Sequence, residues 1–289
     1  MKSNLKRKNT KVFVILPRYN SIWNIKIILN YKKMNKLVKV FALAAAMVFC
    51  GQAVAQTRGA FFLGASFPMK DYAEFDGFDE FALVAHDEED GGAGIGFNAG
   101  FKWYYNIGVK GLGVMLSLDG MYNGPCEDLK TAYRNMEIGF GNQNAGGSFS
   151  YSSTPKYINV PLNLGLNYIY RFNPNFGIYV EAGAGANLRF ITQMETVSKL
   201  QLLGGETKTV TTNKYDSAFG FAYQLGAGFE VAKNLVIGCS FYDLGKASVK
   251  MTETKKTIVG SSNPVTTTDF KELGTVHPVM ILARIGFCF

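Results

Sequence analysis

The chain has 289 residues and a formal net charge of +8, but that charge is unevenly distributed. Residues 1–55 hold 11 of the 30 basic residues and none of the 22 acidic ones, so residues 56–289 carry a formal net charge of −3. The high isoelectric point therefore belongs to the first 55 residues and does not indicate a nucleic-acid-binding surface.

Residues 34–55 have the composition of a secretory signal peptide. The start is basic, residues 40–49 are apolar, and Ala53 and Ala55 form a small-x-small cleavage site before Gln56. The apolar run is shorter than the ~20 residues that a membrane-spanning helix needs. The alternative is a lipoprotein signal with Cys50 as the acylated residue, which Phe49 disfavours because a small residue is expected there.

Residues 1–33 lie upstream of this signal, are very basic and show no clear period. We therefore expect translation to begin at Met34. The predicted organisation is an extension that is not translated or not folded (1–33), a signal peptide (34–55), and one β domain (56–289), which is exported.

The exported part predicts eight strands with alternating apolar and polar residues. In chain order they are residues 59–67, 94–105, 112–123, 158–170, 177–190, 218–231, 235–245 and 278–289. Side chains alternate between the two faces of a strand, so a period of two over these lengths predicts strands with one apolar face.

The hairpin in residues 157–190 carries the clearest pattern. Its two runs are joined by a turn at 172–175, and its polar face consists of glycines and small amides with a few charges. A soluble sandwich or lipocalin-like barrel would turn the apolar face inward. Tyrosines at the ends of the apolar face favour the opposite arrangement, with that face towards lipid.

Short links after the second, fourth and sixth strands alternate with long links at roughly 68–92, 124–156, 191–217 and 246–277. This alternation predicts an all-β fold: an eight-stranded antiparallel up-and-down transmembrane β-barrel with four long extracellular loops and short periplasmic turns. Pairing of loop segments would raise the number to ten strands, and the sequence leaves that open. Pro161 lies inside a strand, where we expect a bulge or a lumen-facing irregularity, and Asp243 is expected at the extracellular rim.

The signal peptide, the eight glycine- and aromatic-rich strands, the segment Tyr157–Leu162 and the terminal Phe289 together resemble the small outer-membrane β-barrel proteins of Bacteroidetes, the porin-family or PorT-like barrels. The resemblance implies an outer-membrane location but no single shared activity. The closing residues 285–289, with Phe287 and Phe289, resemble the C-terminal signal that the barrel-assembly machinery recognises.

Charged residues are predicted on the lumen side of several strands. They are Lys102, Asp119, Glu181, Arg189, Glu230 and Arg284. The interior of an eight-stranded barrel is just wide enough for side chains, so buried charges there must pair. We expect a structural plug of ion pairs, and the alternative is a narrow gated pore.

The first long loop is acidic, and Asp76, Asp79, Glu88 and Asp90 are weak candidates for binding a cation. Their spacing does not match a dedicated calcium loop, so a solvated loop is the expected reading and no metal or other cofactor is predicted. His86 and His277 are the two histidines, and neither lies in a catalytic pattern. We therefore expect no enzyme activity.

The expected function is a non-enzymatic outer-membrane protein with a structural or surface-interaction role. The alternatives are a small porin-like transport barrel and, by the resemblance, an accessory of a protein-secretion system. The expected partners are outer-membrane lipid, the barrel-assembly machinery, and an extracellular or secretion-complex protein that binds loops or adds a strand to them. No nucleic acid is expected.

Overall fold

The computed structural model describes residues 57–75, 91–143, 147–202, 205–260 and 262–289. The strands within these ranges are β1 (Thr57–Met69), β2 (Ala93–Asn106), β3 (Leu112–Pro125), β4 (Ser148–Ser153), β5 (Tyr157–Asn173), β6 (Phe176–Ile191), β7 (Met194–Leu202), β8 (Gly205–Tyr215), β9 (Ala218–Val231), β10 (Leu235–Asp243), β11 (Ala247–Val259), β12 (Val265–Val276) and β13 (Val279–Cys288). Helix α1 covers Glu127–Gln143. The predicted cleavage site and the cation candidates between 76 and 90 lie outside the described residues.

Eight of the strands close into an antiparallel barrel, in the order β1-β13-β10-β9-β6-β5-β3-β2. The first and last strands close it, pairing from Ala60 with Cys288 to Met69 with Val279. Gly59 and Phe289 continue this ladder with two hydrogen bonds of 2.9 Å. The predicted eight-stranded antiparallel barrel is confirmed.

The two faces of each barrel strand have opposite polarity. On β9, for example, Phe219, Phe221 and Tyr223 are exposed on the outside, whereas Gly220, Ala222 and Gln224 alternate with them and are buried inside. This is the inverse of a soluble barrel, in which the apolar side chains fill the interior. The sequence predicted that the apolar faces point outward, because the opposite faces consist of glycines and small amides. The structure confirms this orientation.

The loop segments do not enlarge the barrel, because they pair with one another. They form a separate five-stranded antiparallel sheet in the order β12-β11-β8-β7-β4, which we call the outer sheet. Its strands continue from the barrel strands: β7 follows β6, β8 leads into β9, β11 follows β10, and β12 leads into β13. The question of eight or ten barrel strands is thereby answered as eight.

Helix α1 was not predicted, because its glycines and the polar residues that follow suggested a loop. Leu129, Tyr133 and Phe140 recur at helical spacing and form an apolar stripe. Glu127 and Asp128 lie in the first turn, where negative charge favours the helix dipole. The Sγ of Cys126 accepts a hydrogen bond from the Leu129 amide at 3.4 Å and caps the helix.

Of the two alternatives expected at Pro161, a bulge or a lumen-facing irregularity, the bulge is absent and the proline does face the lumen. β5 pairs with β3 in the same register on both sides of it, from Leu162 with Leu118 to Asn159 with Met121. Pro161 removes one backbone donor, and the ladder passes that gap without a shift. Its ring is buried and points into the interior.

We predict that Gly226→Ala will weaken the barrel. A Cβ atom at Gly226 would lie 2.7 Å from Cγ of Glu181, whose side chain crosses this position inside the barrel. Overpacking of this kind costs about 1–3 kcal/mol. The urea midpoint for loss of the folded band on unheated gels is the measurement. Gly124→Ala is the control, because a Cβ there has open space; an equal effect of the two changes would contradict the prediction.

Candidate functional site

Charged and amide side chains lie inside the barrel along its whole length. The predicted lumen residues Lys102, Asp119, Glu181, Arg189, Glu230 and Arg284 are all buried there. Asparagines and glutamine from neighbouring strands surround them: Asn98, Asn159, Asn163, Asn167, Asn187 and Gln224. The structure therefore brings the predicted charges into one interior, where three separate groups form at different heights.

The central group joins opposite walls of the barrel. Lys102 on β2 donates to Oε1 of Glu181 on β6, and both side chains are almost fully buried. The Lys102 ammonium also lies 5.1 Å from the centre of the Phe62 ring. Both charged groups have lost their hydration, and their mutual attraction compensates for that loss. Removing either partner would therefore leave the other as an unpaired buried charge, which is strongly destabilising.

A second pair lies beside it. Arg284 Nη1 is 2.9 Å from Oδ1 of Asp119 without hydrogen-bond alignment, so the attraction is chiefly Coulombic. The hydroxyl of Tyr242 donates to the other carboxylate oxygen of Asp119 at 2.6 Å. The Arg284 guanidinium stands 5.1 Å from the Tyr242 ring centre, a cation–π distance. Asp119 is thereby held between a cation and a phenol.

Gln224 links these charges to the neutral polar residues of the interior. Its Oε1 accepts hydrogen bonds from Ser117 at 2.9 Å and from Asn163 at 3.0 Å. Its amide nitrogen points at the sulfur of Met115, 3.6 Å away. Strands β3, β5 and β9 are thus connected through one amide across the lumen.

Glu230 lies near the short turns, and its two cationic partners were missed from sequence. Arg58 donates to Oε2 of Glu230 and to the carbonyl of Lys233, and Arg171 Nη2 lies 2.9 Å from Oε1. Arg58 lies one residue before the predicted run at 59–67, and Arg171 lies one residue after the run at 158–170. Their parity was a usable signal, because Arg58 lies two residues before the inward Ala60 and Arg171 four residues after the inward Asn167, so each shares a face with its inward neighbour.

Arg189 lies at the opposite end, where the outer sheet begins. Its guanidinium donates to the carbonyl oxygens of Val276 at 2.7 Å and Gly245 at 3.1 Å. Gly245 lies just before β11 and Val276 is the last residue of β12, so both carbonyls lie at the base of the β11–β12 hairpin. Arg189 therefore ties the base of that hairpin to the barrel wall, and it contacts neutral oxygens, whereas the other five predicted lumen charges contact groups of opposite charge.

Apolar layers lie above and below the charged middle. The layer near the outer sheet contains Tyr72, Tyr157, Leu244, Met280 and Leu282. The layer near the short turns contains Ala60, Phe62, Tyr179, Val236 and Cys288. Tyr72, from the short 3₁₀ turn after β1, is completely buried and accepts a hydrogen bond from Asn159. Side chains from all these layers are buried inside the barrel.

The outside of the barrel carries an apolar belt. Exposed side chains on β5 run from Leu162 to Tyr170, which spans ~26 Å of strand at about 3.3 Å per residue. At a tilt of about 40° that is roughly 20 Å of depth, close to the ~25 Å apolar band of membrane barrels. Phe287 and Phe289 lie on this belt, each more than half exposed; their role as an assembly signal stays a prediction.

Helix α1 packs against strands β4 and β7 of the outer sheet. Leu129 and Tyr133 form a small core with Met194, and the Tyr133 and Tyr151 rings are 4.3 Å apart. Burial raises the pKa of Tyr133 well above its ordinary value and the pKa of Tyr215 to about 12, so both phenols stay neutral. A Cβ atom built at Gly92 would touch Leu129, which places the start of the helix over the mouth of the barrel.

The remaining candidate groups show no catalytic or metal-binding arrangement in the described part of the chain. His277 Nε2 lies 2.7 Å from Oδ1 of Asp243, which also accepts from the Gly245 amide, and this pair joins the two ends of the β11–β12 hairpin. No group of three metal-ligating side chains occurs among the described residues. The cysteines at 126, 239 and 288 are free. No described helix is both long and apolar enough to cross a membrane.

A scan of protein-family models gave no match, and neither did a search of curated proteins. Solved structures are similar in outline. The attachment invasion locus protein Ail of Yersinia pestis is 15% identical, with 81% of this chain and 99% of that chain covered and a TM-score of 0.35. OprG of Pseudomonas aeruginosa is 12% identical, with 81% and 94% covered and a TM-score of 0.35.

A major outer-membrane protein of Thermus thermophilus is 11% identical, with 81% and 99% covered and a TM-score of 0.41. At scores this low the likenesses carry no inference about this chain. Its architecture is established by its own strand pairing.

We predict that Lys102→Met will destabilise the barrel by about 3–5 kcal/mol, because it leaves Glu181 as an unpaired buried charge. Lys102→Met combined with Glu181→Leu should recover most of that loss, since replacing both members of a buried ion pair is often close to neutral. Urea titration of the folded band measures both.

Lys130→Met is the control, because its pair with Glu127 is exposed and worth about 0–1 kcal/mol. A double variant that is less stable than Lys102→Met alone would show that the pair does not act as described.

Proposed function

We propose that this chain is an integral outer-membrane β-barrel, exported by the signal peptide at 34–55, whose interior is closed and whose outer sheet is its working surface. The role is non-enzymatic: it anchors a rigid sheet outside the membrane for contact with another molecule. The observation that carries the proposal is the division of the molecule into an apolar belt, a filled interior and a sheet that projects beyond the belt.

The belt supports a membrane location. Outward side chains such as Ile95, Leu164 and Phe221 are more than 60% exposed and lie in a continuous band around the barrel. Exposed apolar surface on this scale is stable in lipid and prone to aggregation in water. A closed barrel also leaves no unpaired strand edge at membrane depth, which lipid requires.

The interior supports a closed barrel more than a pore. A conducting path needs a continuous polar channel, whereas here the charged middle lies between two apolar layers with Tyr72 and Phe62 among their largest side chains. The lumen charges also pair across the barrel axis in the Lys102–Glu181 contact. These buried layers and ion pairs leave no continuous polar path among the side chains described above.

The resemblance to the porin-family and PorT-like barrels of Bacteroidetes supports the same location. Within that group an accessory role in protein secretion is our second candidate, since a projecting sheet suits a protein partner. The predicted partners for insertion are outer-membrane lipid and the barrel-assembly machinery, which would recognise Phe287 and Phe289.

Planar-bilayer recording tests the closed interior. The mature protein, residues 56–289, should show no defined conductance steps at moderate voltage when its insertion into the same membrane is verified by the heat-modifiable band. Removing the central pair with Lys102→Ala and Glu181→Ala supplies the matched variant, because it takes away two side chains that cross the lumen. Steps of defined size from the unaltered protein would overturn the proposal in favour of a small pore.

A further inference from the structure

The outer sheet has two edges, β4 and β12, and they differ in length and protection. An exposed sheet edge presents unpaired backbone N–H and C=O groups, and proteins usually shorten or cover such edges. β4 has six residues and β12 has twelve. The comparison between them indicates which edge is available.

The β4 edge is covered by helix α1. Glu137 of the helix accepts a hydrogen bond from the backbone amide of Tyr151 at 2.8 Å, which occupies a donor of the edge strand. The rings of Phe140 and Phe149 lie 5.6 Å apart, and those of Tyr133 and Tyr151 pack closer still. The helix therefore protects this edge with both a side-chain acceptor and aromatic contacts.

Within the described residues, the β12 edge is covered neither by a helix that supplies a side-chain acceptor nor by aromatic contacts of the kind seen at β4. It pairs with β11 on one side, from Ala247 with Val276 to Thr257 with Val265, and with no described strand on the other. Phe270 is 83% exposed, more than any other large apolar side chain in the described chain, including those of the belt. Val265, five residues away on the same strand, is 69% exposed.

Lipid does not account for this exposure, because β12 belongs to the outer sheet and not to the barrel. Phe270 lies on β12 opposite Thr252 of β11, six positions before the strand ends at Val276 and the chain returns to β13. The base of the hairpin is fixed by Arg189 and by the contact between Asp243 and His277. The hairpin that carries this edge is thus anchored at its base, and β12 is polar along its threonines and apolar at Phe270 and Val265.

We propose that β12 is a docking edge that accepts an extended segment of another protein as a sixth, antiparallel strand of the outer sheet. The backbone of β12 supplies hydrogen bonds for affinity, and Phe270 supplies a cross-strand apolar contact for specificity. The partner segment carries an aromatic or branched residue opposite Phe270. This inference rests on the proposed surface-interaction role and names the surface that performs it.

Strand direction disfavours a second copy as the occupant. Alternate strands of the antiparallel order β12-β11-β8-β7-β4 run the same way, so β4 and β12 both run towards the barrel. Two copies in one membrane share their orientation, and β12 of one copy would meet β12 or β4 of the other only in parallel. An unrelated chain has no such constraint and can continue the antiparallel ladder.

A peptide binding experiment on the full mature protein in lipid nanodiscs tests the proposal. The probe is a fluorescent peptide with the sequence of β11 from Lys250 to Val259, in which Tyr replaces Thr252 to give Phe270 an aromatic neighbour. β11 is the strand that β12 already accepts in antiparallel register. A scrambled peptide is the negative control, and the heat-modifiable band verifies the folded barrel in each preparation.

Saturable binding of the probe is expected, with slower amide exchange in 265–276 and no change in 148–153. Phe270→Lys should weaken binding about fivefold, the size of a good cross-strand pair. Val259→Lys is the matched control: Val259 is 50% exposed, lies on interior strand β11 and pairs with Thr207 of β8, so its change should leave binding unaltered.

Three results would overturn the proposal. They are absence of binding by a protein with a folded barrel, faster exchange in β8 that shows displacement of β11, and protection of β12 by concentration-dependent dimers without peptide. A preparation that never forms a barrel in lipid would instead refute the proposed function, so the two failures are distinguishable.

Discussion

Closure of the barrel is the constraint on which the rest of the structure depends. β1 and β13 are the first and last strands of the described chain, and their ladder leaves the barrel without an edge. Closure at eight strands fixes a narrow interior that side chains can fill. It also turns every second residue outward, so one alternating sequence must build a polar interior and an apolar belt at once. The loop segments do not share this constraint, and they form the outer sheet and helix α1.

The interior shows how charges are accommodated where water is excluded. Lys102, Glu181, Asp119 and Arg284 contact opposite charges across the lumen, and Glu230 holds two arginines at one end. Glycines on neighbouring strands make the space: Gly226 lies under Glu181 and Gly100 under Asp119, so that a Cβ at either would collide with the carboxylate. Small and large inward residues are therefore arranged together, and the glycines of the sequence have a packing reason.

The barrel was predictable from sequence because a period of two is a local signal that survives in each strand. The eight runs and the alternation of short and long links predicted an eight-stranded barrel and the outward facing of its apolar side chains, whereas only the strand pairing excluded ten strands. The pairs inside were not predictable, because they depend on strand register and tilt, which bring Lys102 on β2 to Glu181 on β6. Arg58 and Arg171 have the spacing of inward-facing residues, but each lies one residue beyond the end of its predicted strand.

The outer sheet and helix α1 were harder to predict for a different reason. The segments at 194–215 and 247–276 are rich in threonine and lysine and have little apolar contrast, so their alternation is weak. Helix α1 shows helical spacing at Leu129, Tyr133 and Phe140, but Gly139 and Gly141 reduce its intrinsic propensity. Packing against Met194 and Tyr151 makes the helix stable, and that contact is invisible without the fold.

The most direct test of the central claim, a closed barrel with an apolar belt in lipid, is gel mobility of the mature protein taken from isolated outer membranes. The account predicts that the unheated protein stays with the outer-membrane fraction and migrates faster than the heated protein, because a closed barrel resists detergent until it is boiled. A protein recovered in the soluble periplasmic fraction, with the same mobility before and after heating, would contradict it.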